Sequence, residues 1–230
     1  MLVGTGRSGT QHFATVCQGL GIDVGHEALG KHGISSWCLV SDLPYAPYGP
    51  ARQDLVESEF IVAHQLRHPV KTIPSLMTMN KSSWAFIRED AADRVSMQWW
   101  DKAPLRVRAM WHWLDWNQRA EHMATMHWTL EQAEGIGPQL ATTFQWPKAA
   151  LQWQAHWTDS RSNDARSRIS GVERLWTTSP PVALRRWLHA MGRIPATEAA
   201  LLEADRSLAM DVLSYWDSYS SRYPRLDAMQ

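Results

Sequence analysis

The run Val3-Gly4-Thr5-Gly6-Arg7-Ser8-Gly9-Thr10 carries residue types that could do chemistry. It reads as a short apolar strand, a glycine turn and the start of a helix. The glycines let the backbone come close to a ligand and take positive φ where a turn needs it. Successive amide N–H groups in such a turn form a concave nest for an anion, and the following helix adds its positive dipole end. Arg7 brings a permanent cation with planar donors suited to phosphate or sulfate oxygens. Gly6, Arg7, Ser8, Gly9, Thr10 and Gln11 are therefore the expected anion-binding residues.

Gly4 and Gly9 have the spacing of the ATP-type phosphate loop, but Thr10 follows Gly9 directly where that loop has lysine. That lysine reaches the terminal phosphates, and the hydroxyl after it holds magnesium. Its absence, with the cation moved to Arg7, argues against a magnesium–ATP site and for an anion held without metal. The competing reading is a glycine-rich turn that binds nothing.

Two further groups fall on the same expected edge. A strand over 22–24 ends in Gly25-His26-Glu27, and ligands of open parallel sheets bind beyond the carboxyl ends of the strands. Glu27 is thus a candidate base and His26 its nearest rival; the alternative is an exposed or capping carboxylate. Phe60-Ile61-Val62-Ala63-His64-Gln65-Leu66-Arg67 reads as a buried parallel strand with Arg67 at its carboxyl end. His68-Pro69 opens a helix, with proline where a missing N–H does no harm. Arg67 and Ser75, eight residues on, can clamp one phosphate; a surface ion pair with a solvent-facing serine is the alternative.

The elements that must position these groups follow from pattern. A helix over 11–20 buries Phe13, Val16, Cys17 and Leu20 and stops at Gly19 and Gly21. The stretch 28–42 reads equally as helix or strand, and 43–52 is loop. Residues 81–104 read as a polar, irregular lid over the binding edge, carrying Trp84, Trp99 and Trp100. A long helix over 105–125 aligns Val107, Met110, Trp111, Leu114 and Gln118 on one face, widened by Trp113 and Trp116. A strand follows at 126–130, and Thr129 with Gln132 resembles a capping box. Residues 135–147 read as loop and 158–170 as exposed or mobile. A helix over 182–191 follows Pro180-Pro181 and ends at Gly192. Thr197 is expected to cap a last helix to about 219, burying Leu201, Leu208, Val212 and Trp216.

The chain has 230 residues, with 23 basic and 23 acidic side chains. That length suits one domain with a sizeable core, and the balance gives no sign of a nucleic-acid partner. Two cysteines, Cys17 and Cys38, make no disulfide framework. The loop lies too near the first residue for a secretory signal, and no apolar run would span a bilayer. A soluble, cytoplasmic protein is expected. Ten histidines are scattered without a convincing metal-ligand set, so no metal site is expected.

Together these motifs resemble the sulfotransferases that use 3′-phosphoadenosine-5′-phosphosulfate (PAPS). Gly6-Arg7-Ser8-Gly9-Thr10 matches their phosphosulfate loop, in the form of the bacterial and Golgi-type branches. Arg67, Pro69 and Ser75 match their 3′-phosphate motif, and Glu27 falls where protein-tyrosine sulfotransferases carry a catalytic glutamate. The late glycine-rich motif of cytosolic members is not evident, and Pro74 should kink the second-motif helix. The resemblance covers residues 1–80 and, more weakly, reaches Glu131. It implies an α/β fold: a P-loop-type three-layer sandwich with a short central parallel sheet flanked by helices and a mostly helical C-terminal part. It implies one domain, with a nucleotide-binding core over 1–135 and a helical extension over 136–230. It implies PAPS as co-substrate and an acceptor hydroxyl or amine, on a carbohydrate, lipid, peptide or phenol. Arg7 would stabilise charge developing at the leaving group and Glu27 would take the acceptor proton. Two alternatives stay open: a nucleotide kinase with a degenerate phosphate loop, and a non-catalytic nucleotide-binding module.

Overall fold

A computed structural model describes residues 1–55, 60–160 and 205–223. Five short strands, β1 (Leu2–Val3), β2 (Val24–His26), β3 (Gly33–Ser35), β4 (Ala63–Leu66) and β5 (Met126–Thr129), form one parallel sheet in the order β2-β3-β1-β4-β5. From β1 the chain moves outward to β2; from β4 it moves the other way to β5. The strand order therefore reverses between β1 and β4, and the crevice at their carboxyl ends is where open α/β sheets take ligands.

Helices cover both faces. Alternation along the strands divides the core between them. Leu2, Ala63, Met126 and Trp128 pack with α1 (Thr10–Gly19), α6 (Gly137–Thr143) and α7 (Pro147–Ser160). Val3 and Ile34 pack against α3 (Lys81–Asp90), α4 (Met97–Lys102) and α5 (Leu105–Met123). Leu66 joins α2 (Pro69–Leu76), the first half of α5 and α8 (Arg206–Arg222). The α/β expectation holds, and the described helices after residue 135 complete the two faces. No described helix is long and apolar enough to cross a membrane.

The expected face of α1 is buried at Phe13, Val16 and Cys17, with Leu20 closing its end. Pro69 stands at the first position of α2, and the His68 side chain accepts from the Val70 N–H. Other expectations need correction. The second strand lies two residues later than 22–24, because the Ile22 amide still bonds back to Cys17 as α1 ends. Residues 81–104 are two helices rather than an irregular lid: Asn80 caps α3 through the Ser83 N–H, and Phe86, Ile87 and Trp100 supply buried anchors. Residues 137–143 are helical, with a proline in the first turn and Leu140 buried. Gln118 is exposed, because α5 lies between two clusters and buries His112, Trp113, Trp116 and Asn117 instead. The stretch 28–42 resolves into β3 and a short 3-10 turn at Cys38–Val40.

Helix α8 begins at Arg206 and is capped by Asp205, which accepts from the Leu208 N–H. It buries Ala209, Val212 and Tyr219, while Leu208 and Trp216 pack beside them. Thr158 belongs to α7. The segment 161–170, the helix expected at 182–191, Thr197 and Leu201 lie outside the described residues. Two wholly buried histidines, His64 and His112, have their pKa pulled down to about 3 by burial, so both are neutral core groups.

Candidate functional site

Residues 4–9 turn from β1 into α1. Arg7 lies in the left-handed region at φ 66° and Gly9 at φ 99°. The left-handed φ favours glycine at position 9, and a Cβ there would also push on the Gln65 Nε2 at 2.9 Å and the Leu130 methyl at 2.8 Å. The turn opens onto a helix start whose N-cap has no side-chain hydrogen bond. The first amides of α1 therefore lack intrahelical acceptors. The hydroxyls of Thr5 and Ser8 are buried and meet no hydrogen-bond partner among the described residues. One expected donor is already engaged: the Ser8 amide bonds the Thr5 carbonyl at 3.1 Å, so the tightness of the turn removes it from the nest. Gln11 is exposed in the first turn of α1 and the Arg7 side chain is exposed on the loop.

Arg67, at the end of β4, donates through Nη1 to the Arg7 carbonyl at 3.0 Å. The two arginine-bearing turns thus adjoin across the β1/β4 crevice. Trp113 supports this arrangement by donating to the Arg67 carbonyl at 3.2 Å. Ser75 lies in the last turn of α2, half-exposed, about 9 Å along the axis from Pro69 at 1.5 Å per residue.

Glu27 follows β2 with φ 57°, also left-handed. Among the described residues only Arg7, Glu27 and Gln145 combine positive φ with a side chain. Such backbone costs about 1–3 kcal/mol per residue and gathers at functional positions. Gly49 packs over this bend, where a Cβ would lie 2.1 Å from the Glu27 carbonyl oxygen. The carboxylate is 16% exposed. Ser36 donates to Oε2 at 2.9 Å, with the Cys38 thiol at 3.7 Å from the same oxygen. Burial pushes the Glu27 pKa up to about 7, although bonds from Ser36, Cys38 and the Trp37 N–H pull the other way. A carboxylate so poised accepts a proton efficiently at neutral pH. His26 stands beside it, its Nε2 3.6 Å from Glu27 Oε1 and 3.4 Å from the Thr10 hydroxyl.

Three supporting residues escape a reading of the sequence. Gln65 donates to the Ser8 carbonyl at 2.8 Å and accepts from the Trp128 indole at 2.9 Å, clamping the loop from below. Ser35 donates to the Thr10 carbonyl at 2.7 Å, and Ser36 holds Glu27. The available signal was polar residues interrupting apolar runs, at Gln65 in 60–66 and at the serine pair in 34–40. No protein-family model, curated protein or solved structure matches the chain.

Proposed function

We propose that the chain is a PAPS-dependent sulfotransferase built on a P-loop-type α/β core. The observation that carries this reading is the 3.0 Å hydrogen bond from Arg67 to the Arg7 carbonyl. It sets two cationic turns side by side, as a nucleotide with phosphates at both its 5′ and 3′ positions requires. The uncapped start of α1 and the buried, unpartnered hydroxyls of Thr5 and Ser8 fit a sulfated phosphate in the loop.

Bound PAPS would supply the sulfuryl group, and its sulfur–oxygen bond to phosphate is the one that breaks. The loop amides and Arg7 hold the negative charge that grows on the departing oxygen, which favours the transition state over the ground state. Arg67 and Ser75 hold the 3′-phosphate. Glu27 takes the acceptor's proton; a pKa near 7 leaves a large fraction ionised at neutral pH while keeping it basic.

Calorimetric titration tests the reading. Adenosine 3′,5′-bisphosphate should bind at least about tenfold more tightly than magnesium–ATP. Arg67→Ala should weaken the bisphosphate by about 10–100-fold, the effect of losing a charge-assisted hydrogen bond, and adenosine 5′-monophosphate far less. Tighter binding of magnesium–ATP, or equal losses for both adenosine ligands, overturns it.

A further inference from the structure

We infer that His26 is a second proton carrier: it accepts from Glu27 the proton that the acceptor hydroxyl loses and passes it to water. This rests on the sulfuryl-transfer reading above. The argument begins with the unequal surroundings of the two carboxyl oxygens. Oε2 receives the Ser36 hydroxyl at 2.9 Å and faces the Cys38 thiol at 3.7 Å. Oε1 faces His26 Nε2 at 3.6 Å. One oxygen is tied to the protein interior and the other is turned toward an imidazole.

The imidazole is also the more open group, 31% exposed against 16% for the carboxylate. Ser36, Glu27, His26 and solvent therefore lie in sequence from inside to outside. The groups facing His26 are the Thr10 hydroxyl from α1 and the Glu27 carboxylate at the end of its own strand. Behind the carboxylate, the Cys38 thiol is pushed far up by burial and stays protonated. Burial draws the His26 pKa down, so the ring is neutral at pH 7 and its Nε2 can accept when the proton sits on Nδ1.

The balance is simple. The acceptor O–H bond breaks as the new oxygen–sulfur bond forms, and the proton goes to Glu27 Oε1. That O–H bond breaks in turn as an N–H bond forms at His26 Nε2. The imidazolium then loses a proton to water, which restores both groups. Because the pair shares one proton, its titration belongs to both residues together.

Nitrogen-15 NMR and turnover test this. In the parent protein at pH 7, His26 Nε2 should carry no proton. The His26 ring nitrogens should also report a step near pH 7, where the neighbouring Glu27 carboxyl titrates, and Glu27→Gln should remove that step. With PAPS and a simple phenol as acceptor, His26→Gln should lower kcat about tenfold. It should keep bisphosphate affinity within about twofold, because the glutamine amide can still meet the Thr10 hydroxyl. Imidazole added to His26→Ala should restore part of the rate. A His26 titration that is the same in Glu27→Gln as in the parent overturns the shared proton, and so does unchanged kcat in His26→Gln. Failure of the parent to bind the bisphosphate sinks the nucleotide reading instead, while the NMR titration still decides the pair.

Discussion

Glu27 and Asp90 are both carboxylates withdrawn from solvent, 16% and 2% exposed, yet their proton affinities move in opposite directions. Burial alone would raise Asp90. The charge of Arg119, a hydrogen bond from Ser41 and the charge of Arg94 outweigh it and hold the group below the usual carboxylate range. Arg119 reaches Asp90 at 2.6 Å, Arg94 pairs with it as well, and Asp115 completes the cluster through both arginines. Glu27 has only uncharged donors, Ser36, Cys38 and the Trp37 N–H, and burial prevails. A carboxylate neutralised by guanidinium groups ties α3 to α5; one met by hydroxyl, thiol and amide stays reactive. Partner charge, more than depth, separates the structural acid from the chemical one.

Three measurements break or sharpen that contrast. The largest effect belongs to Asp90→Ala, which removes the most buried carboxylate of the cluster and leaves Arg94 and Arg119 to share Asp115. It should destabilise the fold by about 3–5 kcal/mol in urea unfolding, while turnover per folded molecule stays unchanged. A loss of turnover without loss of stability would place Asp90 with the chemistry and erase the distinction.

Glu27→Gln should act in the opposite sense. The folded pKa of Glu27 lies above its ordinary 4.5, so the folded state binds the proton more tightly and its stability falls as pH rises from about 4.5 to about 7. Removing the charge should therefore stabilise the protein by up to about 3 kcal/mol above pH 7, with no difference below about pH 4.5, from the linkage of 1.36 kcal/mol per pKa unit. Turnover should drop about 10²–10⁴-fold in the same variant. Equal stability of parent and variant at pH 8 would show that the carboxylate is not strained by burial.

Ser36→Ala gives the smallest change. Its hydrogen bond favours the charged form of Glu27, so its removal should move the rising limb of kcat against pH upward by less than about one unit. A downward shift would mean that Ser36 does not donate to the carboxylate.

Arg7, Glu27 and Arg67 could be placed on one edge from the sequence because each follows a strand, and parallel strands deliver their carboxyl ends to the same side. Gln65 and Ser36 could not. A polar residue in an apolar run reads alike whether it faces a loop, a neighbouring strand or the core. The second strand was displaced because Ile22 favours extended backbone more than Gly25 does, while the hydrogen bond from Ile22 back to Cys17 is a feature of the helix end. Helices α3 and α4 were hidden because each carries too few apolar anchors to mark a period. The true start of α3 is set by Asn80, a capping residue equally common in turns.

Gln65 bridges the loop to the Trp128 indole through its two amide ends. An arriving anion meets a cradle whose shape is maintained from beneath by a side chain of the sheet. Little chain entropy need then be surrendered on complex formation, so the backbone order of 5–10, read by nitrogen-15 relaxation, should be similar with and without nucleotide.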